Sequence, residues 1–328
     1  MNDDRVHPAP DHPTVRAAIR LGCRAPSVHN TQPWRWAFDG TALLLFRDLG
    51  RQLTEADPTG RQAVISCGAV LHHVRTAFAA AHWHTEVTRF PDPDRPDLLA
   101  RIEFQPWADP PMAELRRAEA IDRRYTDRLP MDAPIGLDSV LSPLDKVLAP
   151  HELSLDLLTD DVRPRLATAS EQSDALRHYD MQYQAEIRWW AGHTEHPDGV
   201  PPSALPSESE LARVGVARTF PTPGRSARRA DSVDNARLAV LASADESPLS
   251  WLRTGEALSA VLLECTAAGL STCALTHITE LPASRRTLIG LLGHPGTPQV
   301  VLRIGIAPTG ELHPPTPRRP LTEVLVEG

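Results

Sequence analysis

The sequence predicts an α+β fold built from two similar halves around two long apolar helices. Three observations carry that expectation. Val64, Cys67, Val70, Leu71, Val74, Ala77, Phe78 and Ala81 recur at three- and four-residue spacing, the signature of a long helix with a wide apolar face. A second strongly apolar helical stretch follows Ser247-Pro248 and ends at "TAAGLSTCALT". Short β-rich runs surround both, in an order that occurs twice: strand, Asp/Ser-Pro helix, strand, strand. Each long helix is too apolar to stand alone, and packing one on the other would bury both faces.

The elements follow in order. "HPTVRAAIRLGCRA" reads as a short helix, with Pro13 at a helix start and Pro26 forbidding continuation. In "WRWAFDGTALLLF" the Asp39-Gly40 pair between two β-rich runs signals a hairpin. The first long helix is expected from Asp57-Pro58, with Asp57 as cap and Pro58 as first residue. Strands are expected near 85–90 and 98–104, and again at "HELSLDLL", "ARLAVLASA" and "QVVLRIGIAP", the last resembling "LLARIEFQP". The halves divide as 1–110 and 111–328. The second carries a Pro- and Gly-broken segment, 178–230, which keeps Trp189, Trp190 and Phe220. A long segment of that kind in a compact domain is usually functional or disordered, and its aromatic residues favour a lid.

Composition narrows the function. The chain has 328 residues, 41% hydrophobic and 23% charged, with a net charge of −8. That balance argues against nucleic acid as a partner. Lys146 is the only lysine, so an anion site here would be built from arginine, whose planar fork suits phosphate. Cys23, Cys67, Cys265 and Cys273 make no C-x-x-C. With a polar N-terminus and no apolar run of membrane-spanning length, the expectation is a cytoplasmic protein with reduced thiols and no membrane partner. His72 and His73 adjoin on a helix, point apart and make no metal pair; exposed or capping roles are expected. Cys273 is expected to be a buried structural thiol. Arg123-Arg124 in "IDRRYTDRLP" and Arg318-Arg319 in "TPRRPL" lie at element ends beside prolines and could clamp a phosphate together.

Two of these stretches carry a resemblance. "APSVHNTQPWRW" resembles the FMN-binding signature of the nitroreductase family, A-P-S-x-x-N-x-Q-P-W, and "RRYTDR" resembles that family's paired-basic R-R-S-x-R motif. In ordinary members the basic motif comes first. Here the order is reversed and each motif occurs once. That arrangement is similar to the Acg-like actinobacterial subfamily, in which one chain holds two degenerate copies, mimics a dimer and keeps one flavin site under a lid. The resemblance implies a nitroreductase-like fold with mostly antiparallel sheets and a pseudo-dimer around the two long helices. It implies FMN as cofactor, with Arg123, Arg124, Arg128, Arg318 and Arg319 on the phosphate side. Pro26, Ser27 and Asn30 would meet the ring, Gln32 would anchor the loop, and Ala274, Leu275 and Thr276 would face the ring through backbone groups. Val28 and Tyr125 depart from the family pattern, and Asp127 beside Arg128 offers that arginine an ion-pair partner. His277 stands where the wider family carries an acidic residue, and no catalytic acid or base is assigned.

The implied reaction is hydride transfer from NAD(P)H through flavin to a nitroaromatic or quinone acceptor. The alternative is a flavin-sequestering protein with a closed lid and little turnover; flavin-coupled modification of a small metabolite is a third reading. A single chain is expected to suffice as a monomer, with a homodimer left open.

Overall fold

Asp11 caps the first helix, α1 (His12–Gly22): its carboxylate accepts from the Thr14 N–H at 2.9 Å, and Pro13 occupies the first turn, where no N–H is needed. The computed structural model describes residues 8–192, 197–224, 227–311 and 315–327. β1 (Trp34–Phe38) and β2 (Leu43–Arg47) form the expected hairpin. At its turn the Asp39 carboxylate accepts from the N–H groups of Thr41 and Ala42 at 2.8 and 2.7 Å, and Gly40 supplies a φ of 89°. The first half continues with α2 (Arg61–Ala80), β3 (Trp83–Arg89) and β4 (Leu98–Pro106).

Helix α3 (Met112–Arg123) leads to two short helices, α4 (Leu137–Leu141) and α5 (Leu144–Leu148), and then to β5 (Leu153–Leu157). Next come α6 (Arg163–His178), α7 (Met181–Trp190) and the short α8 (Glu208–Ala212). β6 (Arg237–Ser243), α9 (Pro248–Ala267), β7 (Ser271–Leu275), α10 (Pro282–Ile289) and β8 (Thr297–Gly305) complete the second half. The chain ends with α11 (Leu321–Val324) and β9 (Leu325–Glu327).

These strands make two sheets, β3-β4-β2-β1-β9 and β7-β8-β6-β5. All neighbours run antiparallel except β1 and β9, which are parallel. Apart from β9, the two orders correspond strand for strand, with α2 and α9 in the same place in each. The final strand therefore returns from the second half to the edge of the first sheet.

Between the sheets α2 and α9 pack backbone to backbone. A Cβ on Gly68 would lie 2.0 Å from the Leu252 carbonyl oxygen, and one on Gly255 would lie 1.9 Å from that of Ile65. Mid-helix glycine costs about 1 kcal/mol against alanine, so its presence in both helices marks a contact that no side chain fits. The crossing also overturns the exposed or capping reading of His72 and His73. Both are buried, and both Nδ1 atoms reach the one Ser259 hydroxyl on α9, at 2.7 and 2.6 Å. Helix α2 also corrects the expectation of no membrane-length apolar run: it is long and apolar enough to cross a membrane, yet 89% of its apolar window is buried inside the fold.

The cap of α9 is as expected, with the Ser247 Oγ accepting from Ser250 N–H at 3.1 Å ahead of Pro248. The start of α2 is not. The helix begins at Arg61, after Gly60 turns into the left-handed region at φ 74°, and Asp57 lies before that turn. The Asp57 carboxylate still accepts from Ala63 N–H at 2.9 Å. Burial dominates its titration and pushes it up to about 6 from an ordinary 3.8. The folded state thus holds this proton more tightly than the unfolded chain. The cost of burying the ionised carboxylate is absent below the unfolded value, grows from about pH 4 to 6, and is complete above. Asp57→Asn keeps the acceptor and removes that cost. Its stability relative to the parent should rise across this window, by roughly 3 kcal/mol at most. Urea unfolding at pH 4 and pH 7.5 checks this, and a difference that does not change with pH would refute it.

Candidate cofactor site

Three non-glycine residues in the opening loop take positive φ: His29 at 45°, Asn30 at 56° and Gln32 at 50°. Such residues persist only where surrounding contacts over-determine them. Here the contacts come from the loop's own polar side chains and from distant segments. Ser27 Oγ accepts from Gln32 N–H at 3.0 Å, and Ser66 Oγ on α2 accepts from Val28 N–H at 3.1 Å. The Asn30 amide donates to the carbonyls of Gly199 and Pro317 at 2.9 and 3.1 Å. The Gln32 amide donates to Pro197 O at 3.1 Å, and its Oε1 accepts from Arg319 N–H at 2.9 Å. The loop is therefore locked to the insertion and to the C-terminal arm. Trp34 and Trp36 are buried in the first core.

One side of this loop opens on a cleft of about 780 Å³. Arginines from separate parts of the chain line it. Arg24 follows α1, Arg123 and Arg124 end α3, and Arg318 arrives on the C-terminal arm. Arg318 donates to the carbonyls of Cys23 and Arg24 at 2.8 and 3.0 Å, and Arg124 donates to Arg24 O at 3.2 Å. Among the described residues neither has a carboxylate partner, and Arg124 Nε, which is buried, has no partner at all. Burial, then the neighbouring guanidinium of Arg24, pushes Arg124 down to about 10; burial, then Arg124 and Arg24, pushes Arg318 down to about 9. Arg24, Arg124 and Arg318 form a cluster of mutually repelling cations, while the cleft's Asp127 and Glu311 both pair with Arg229. Of these three arginines, only Arg24 meets a carboxylate among the described residues, Asp122 at 3.1 Å, which is mostly exposed.

Arg128 stands where the cleft meets a second, narrower pocket. The sequence offered Asp127 as its partner. Instead Asp127 pairs with Arg229 of the insertion at 2.9 Å and accepts from Leu129 N–H at 3.1 Å. Arg128 is left with its guanidinium 5.8 Å from the centroid of Phe220 and one long contact to Ala204 O at 3.5 Å. Thr126 and Asp127 are stitched to β7 through Thr272.

The narrower pocket is layered. Pro26, Ser27 and Val28 form one wall, and Cys273 to Thr276 on β7 and just beyond form another. Ile65, Ser66 and Ala69 of α2 also line it, and Phe220 and Arg218 come from the insertion. His277 lines the same space: its Nε2 lies 2.7 Å from Ser170 Oγ, and burial holds it neutral, well below its ordinary titration range. Cys273 is buried, with its thiol pushed up by desolvation, as a structural thiol should be. No cluster of metal-binding type occurs among the described residues.

The structure thus brings Pro26, Ser27, Asn30, Arg123, Arg124, Arg128, Ala274, Leu275, Thr276 and Arg318 to one continuous space. Gln32 and Arg319 lie behind the loop. Arg319 donates to the carbonyl of Gln32 at 3.2 Å and pairs with Asp48 at 3.5 Å. Arg24 and Arg218 also line the space and carry no signal in the sequence, and Thr126 lines it from a variable position of the "RRYTDR" stretch. Ser66 carries one, as a polar residue on the core face of an apolar helix.

The insertion is anchored from several sides. The Glu186 carboxylate accepts from the N–H groups of Thr54, Glu55 and Ala56, at 2.6 Å for Thr54 and 2.8 Å for Ala56. Arg51 pairs with Asp198 and lies over the Trp190 ring, and Arg218 pairs with Glu280. Of the aromatic residues singled out in the sequence, Phe220 reaches the pocket, Trp190 covers Arg51 and Trp189 is 62% exposed. Residues 193–196 and 225–226 of the expected lid lie outside the described residues.

No family model matches the chain. Similar proteins are known in Mycobacterium tuberculosis. One, named "Putative NAD(P)H nitroreductase acg", is 46% identical over 313 residues, 95% of each chain. Another, "Uncharacterized protein Rv3127", is 44% identical over 317 residues, 95% of this chain and 92% of that one. The chain belongs to the Acg-like nitroreductase family. Among solved structures, the FMN-dependent nitroreductase NfnB of Mycobacterium smegmatis in complex with NADPH aligns with 64% of this chain and 96% of its own. Its identity is 14% and its TM-score 0.39.

Proposed function

We propose that the cleft and the adjoining pocket hold one FMN, and that the chain passes hydride from NAD(P)H to a small nitroaromatic or quinone acceptor. The observation that carries this reading is the anion-deficient arginine cluster beside the A-P-S loop. Arg124, Arg318 and Arg24 would hold the phosphate, which supplies the negative charge they lack. Ser27 and the backbone of Ala274 to Thr276 would border the ring in the narrower pocket, with Arg128 at the junction. When bound, FMN supplies the hydride chemistry, and the protein's part is orientation, electrostatics and control of access. Arg128 would place a cation beside charge that builds up on the ring, and the missing ion pair with Asp127 leaves it available for that. Phe220 and the insertion would exclude water.

One site per chain is supported by what fills the corresponding place in the other half. Ala69, which lines the pocket, directly follows Gly68. Directly after Gly255 comes Glu256, fully buried, gripped by Arg89 at 2.7 and 2.9 Å and by Arg75 at 3.1 Å. Side chains occupy that position, as the reading of two degenerate repeats, 1–110 and 111–328, in one pseudo-dimer requires.

The anchors on the insertion favour a second reading, flavin retention with little turnover. Glu186→Ala removes the acceptor for three backbone N–H groups and should loosen residues 178–230 where they wall the cleft. FMN dissociation should then quicken by about tenfold, the equivalent of one charged hydrogen bond. Stopped-flow flavin release measures it, and an unchanged rate would show that the insertion does not gate the cofactor. Steady-state NADPH oxidation with a quinone separates enzyme from sequestering protein.

A further inference from the structure

A groove of about 580 Å³ is lined by the end of α6, by α7 and by residues between 206 and 223 of the insertion. It shares Pro206, Leu211 and Phe220 with the narrower pocket inside. Those three residues therefore stand between the groove and the space proposed for the flavin ring. We propose that this groove docks a neutral, planar aromatic acceptor of the naphthoquinone class, and that Phe220 decides which acceptors pass to the ring. The proposal rests on the flavin reading above.

The groove's surface suits such a ligand. Met181, Tyr183, Phe220 and Pro221 give it an apolar lining, and Met181 is left 78% exposed at the rim. A polarisable, adaptable thioether beside aromatic rings is a good surface for a flat ligand. The charges around it offset one another. Arg177 pairs with Asp180 at 2.9 Å and lies 4.5 Å from the Tyr183 ring centroid, while Asp174 accepts from Thr219 N–H at 3.1 Å. Arg188 and Glu208 carry opposite signs. The groove therefore lacks the converging cations that a dinucleotide pyrophosphate would need, in contrast to the cleft. Phe220 is steadied by the edge of His29, 5.9 Å away at 89°, and by Arg128. Removing its ring would join groove and pocket.

The test uses the FMN-loaded chain labelled with [methyl-13C]methionine and titrated with menadione. The Met181 methyl signal is expected to shift saturably while those of Met112 and Met131 stay in place. Gln184→Trp, which fills the groove away from those three residues, should abolish the shift and slow menadione reduction at least tenfold while FMN content and circular dichroism are kept. Phe220→Ala should speed reduction of a bulkier quinone more than that of menadione. An unmoved Met181 signal overturns the groove, whatever the turnover, and with FMN bound it leaves the flavin reading standing. A purified chain that takes up no FMN overturns both.

Discussion

Gly255→Ala is expected to destabilise the chain by about 3 kcal/mol or more, the upper end of what overpacking a core costs. The new methyl would sit 1.9 Å from the carbonyl oxygen of Ile65, 2.7 Å from Ala69 N and 2.7 Å from Gly68 Cα. All three are backbone atoms of α2, so no flexible side chain can yield. The helices must move apart, and with them the buried residues of both cores that pack along the pair. Gly68→Ala meets Leu252 O at 2.0 Å and should cost about as much. Because either methyl already separates the helices, the double variant should cost less than the sum of the two, as expected for directly coupled sites. Urea unfolding of the four proteins measures the cycle. Near-wild-type stability of either single variant would show that the helices are not in backbone contact.

Arg318→Ala and Arg124→Ala should each weaken FMN binding by tenfold or more, since a hydrogen bond to a charged group is worth roughly 1.5–3 kcal/mol. The apoprotein should respond in the opposite sense. Burial first, and then the repulsion among Arg124, Arg318 and Arg24, pushes both Arg124 and Arg318 below the ordinary arginine range. Deleting either cation relieves that repulsion, although the carbonyls of Cys23 and Arg24 lose a donor when Arg318 goes. The cofactor-free variants should therefore lose little stability while losing most of their affinity. Arg319→Ala makes the contrast: its contacts hold the loop and the C-terminal arm, so it should lower stability of the apoprotein along with flavin affinity. Flavin titration monitored by fluorescence, with thermal unfolding of the apoproteins, tests all three. Unchanged affinity in both Arg124→Ala and Arg318→Ala would place the phosphate elsewhere.

What the sequence revealed follows the range of the interactions. The two long helices, the Asp39-Gly40 hairpin and the Ser247 cap rest on neighbours a few residues apart, and they could be read directly. The start of α2 could not, because Gly60 turns the chain against Arg47 and Gln52 from elsewhere. His72 and His73 gave no hint of burial, since the hydroxyl they share belongs to Ser259 on the other helix. The return of β9 to the first sheet is likewise a long-range pairing. At the site, the A-P-S loop and the paired arginines stood out as motifs. The division of labour among them did not. Gln32 and Arg319 hold the loop from behind, Arg24 enters without any motif, Thr126 enters from a variable position of one, and Asp127 finds Arg229 rather than its neighbour Arg128. Each of these depends on a segment a hundred or more residues away, or on which side of a loop a side chain leaves.

The most direct test of the account is the flavin content of the purified chain, measured with its mass in solution. The protein should be yellow and, on denaturation, should release FMN at one equivalent per chain, non-covalently. It should keep that flavin as a 36.0 kDa monomer, because α2 and α9 already supply both sides of the central helix pair. A colourless protein that takes up no added FMN would contradict the site. Two flavins per chain, or a flavin lost whenever a dimer dissociates, would contradict the single composite site in one folded chain.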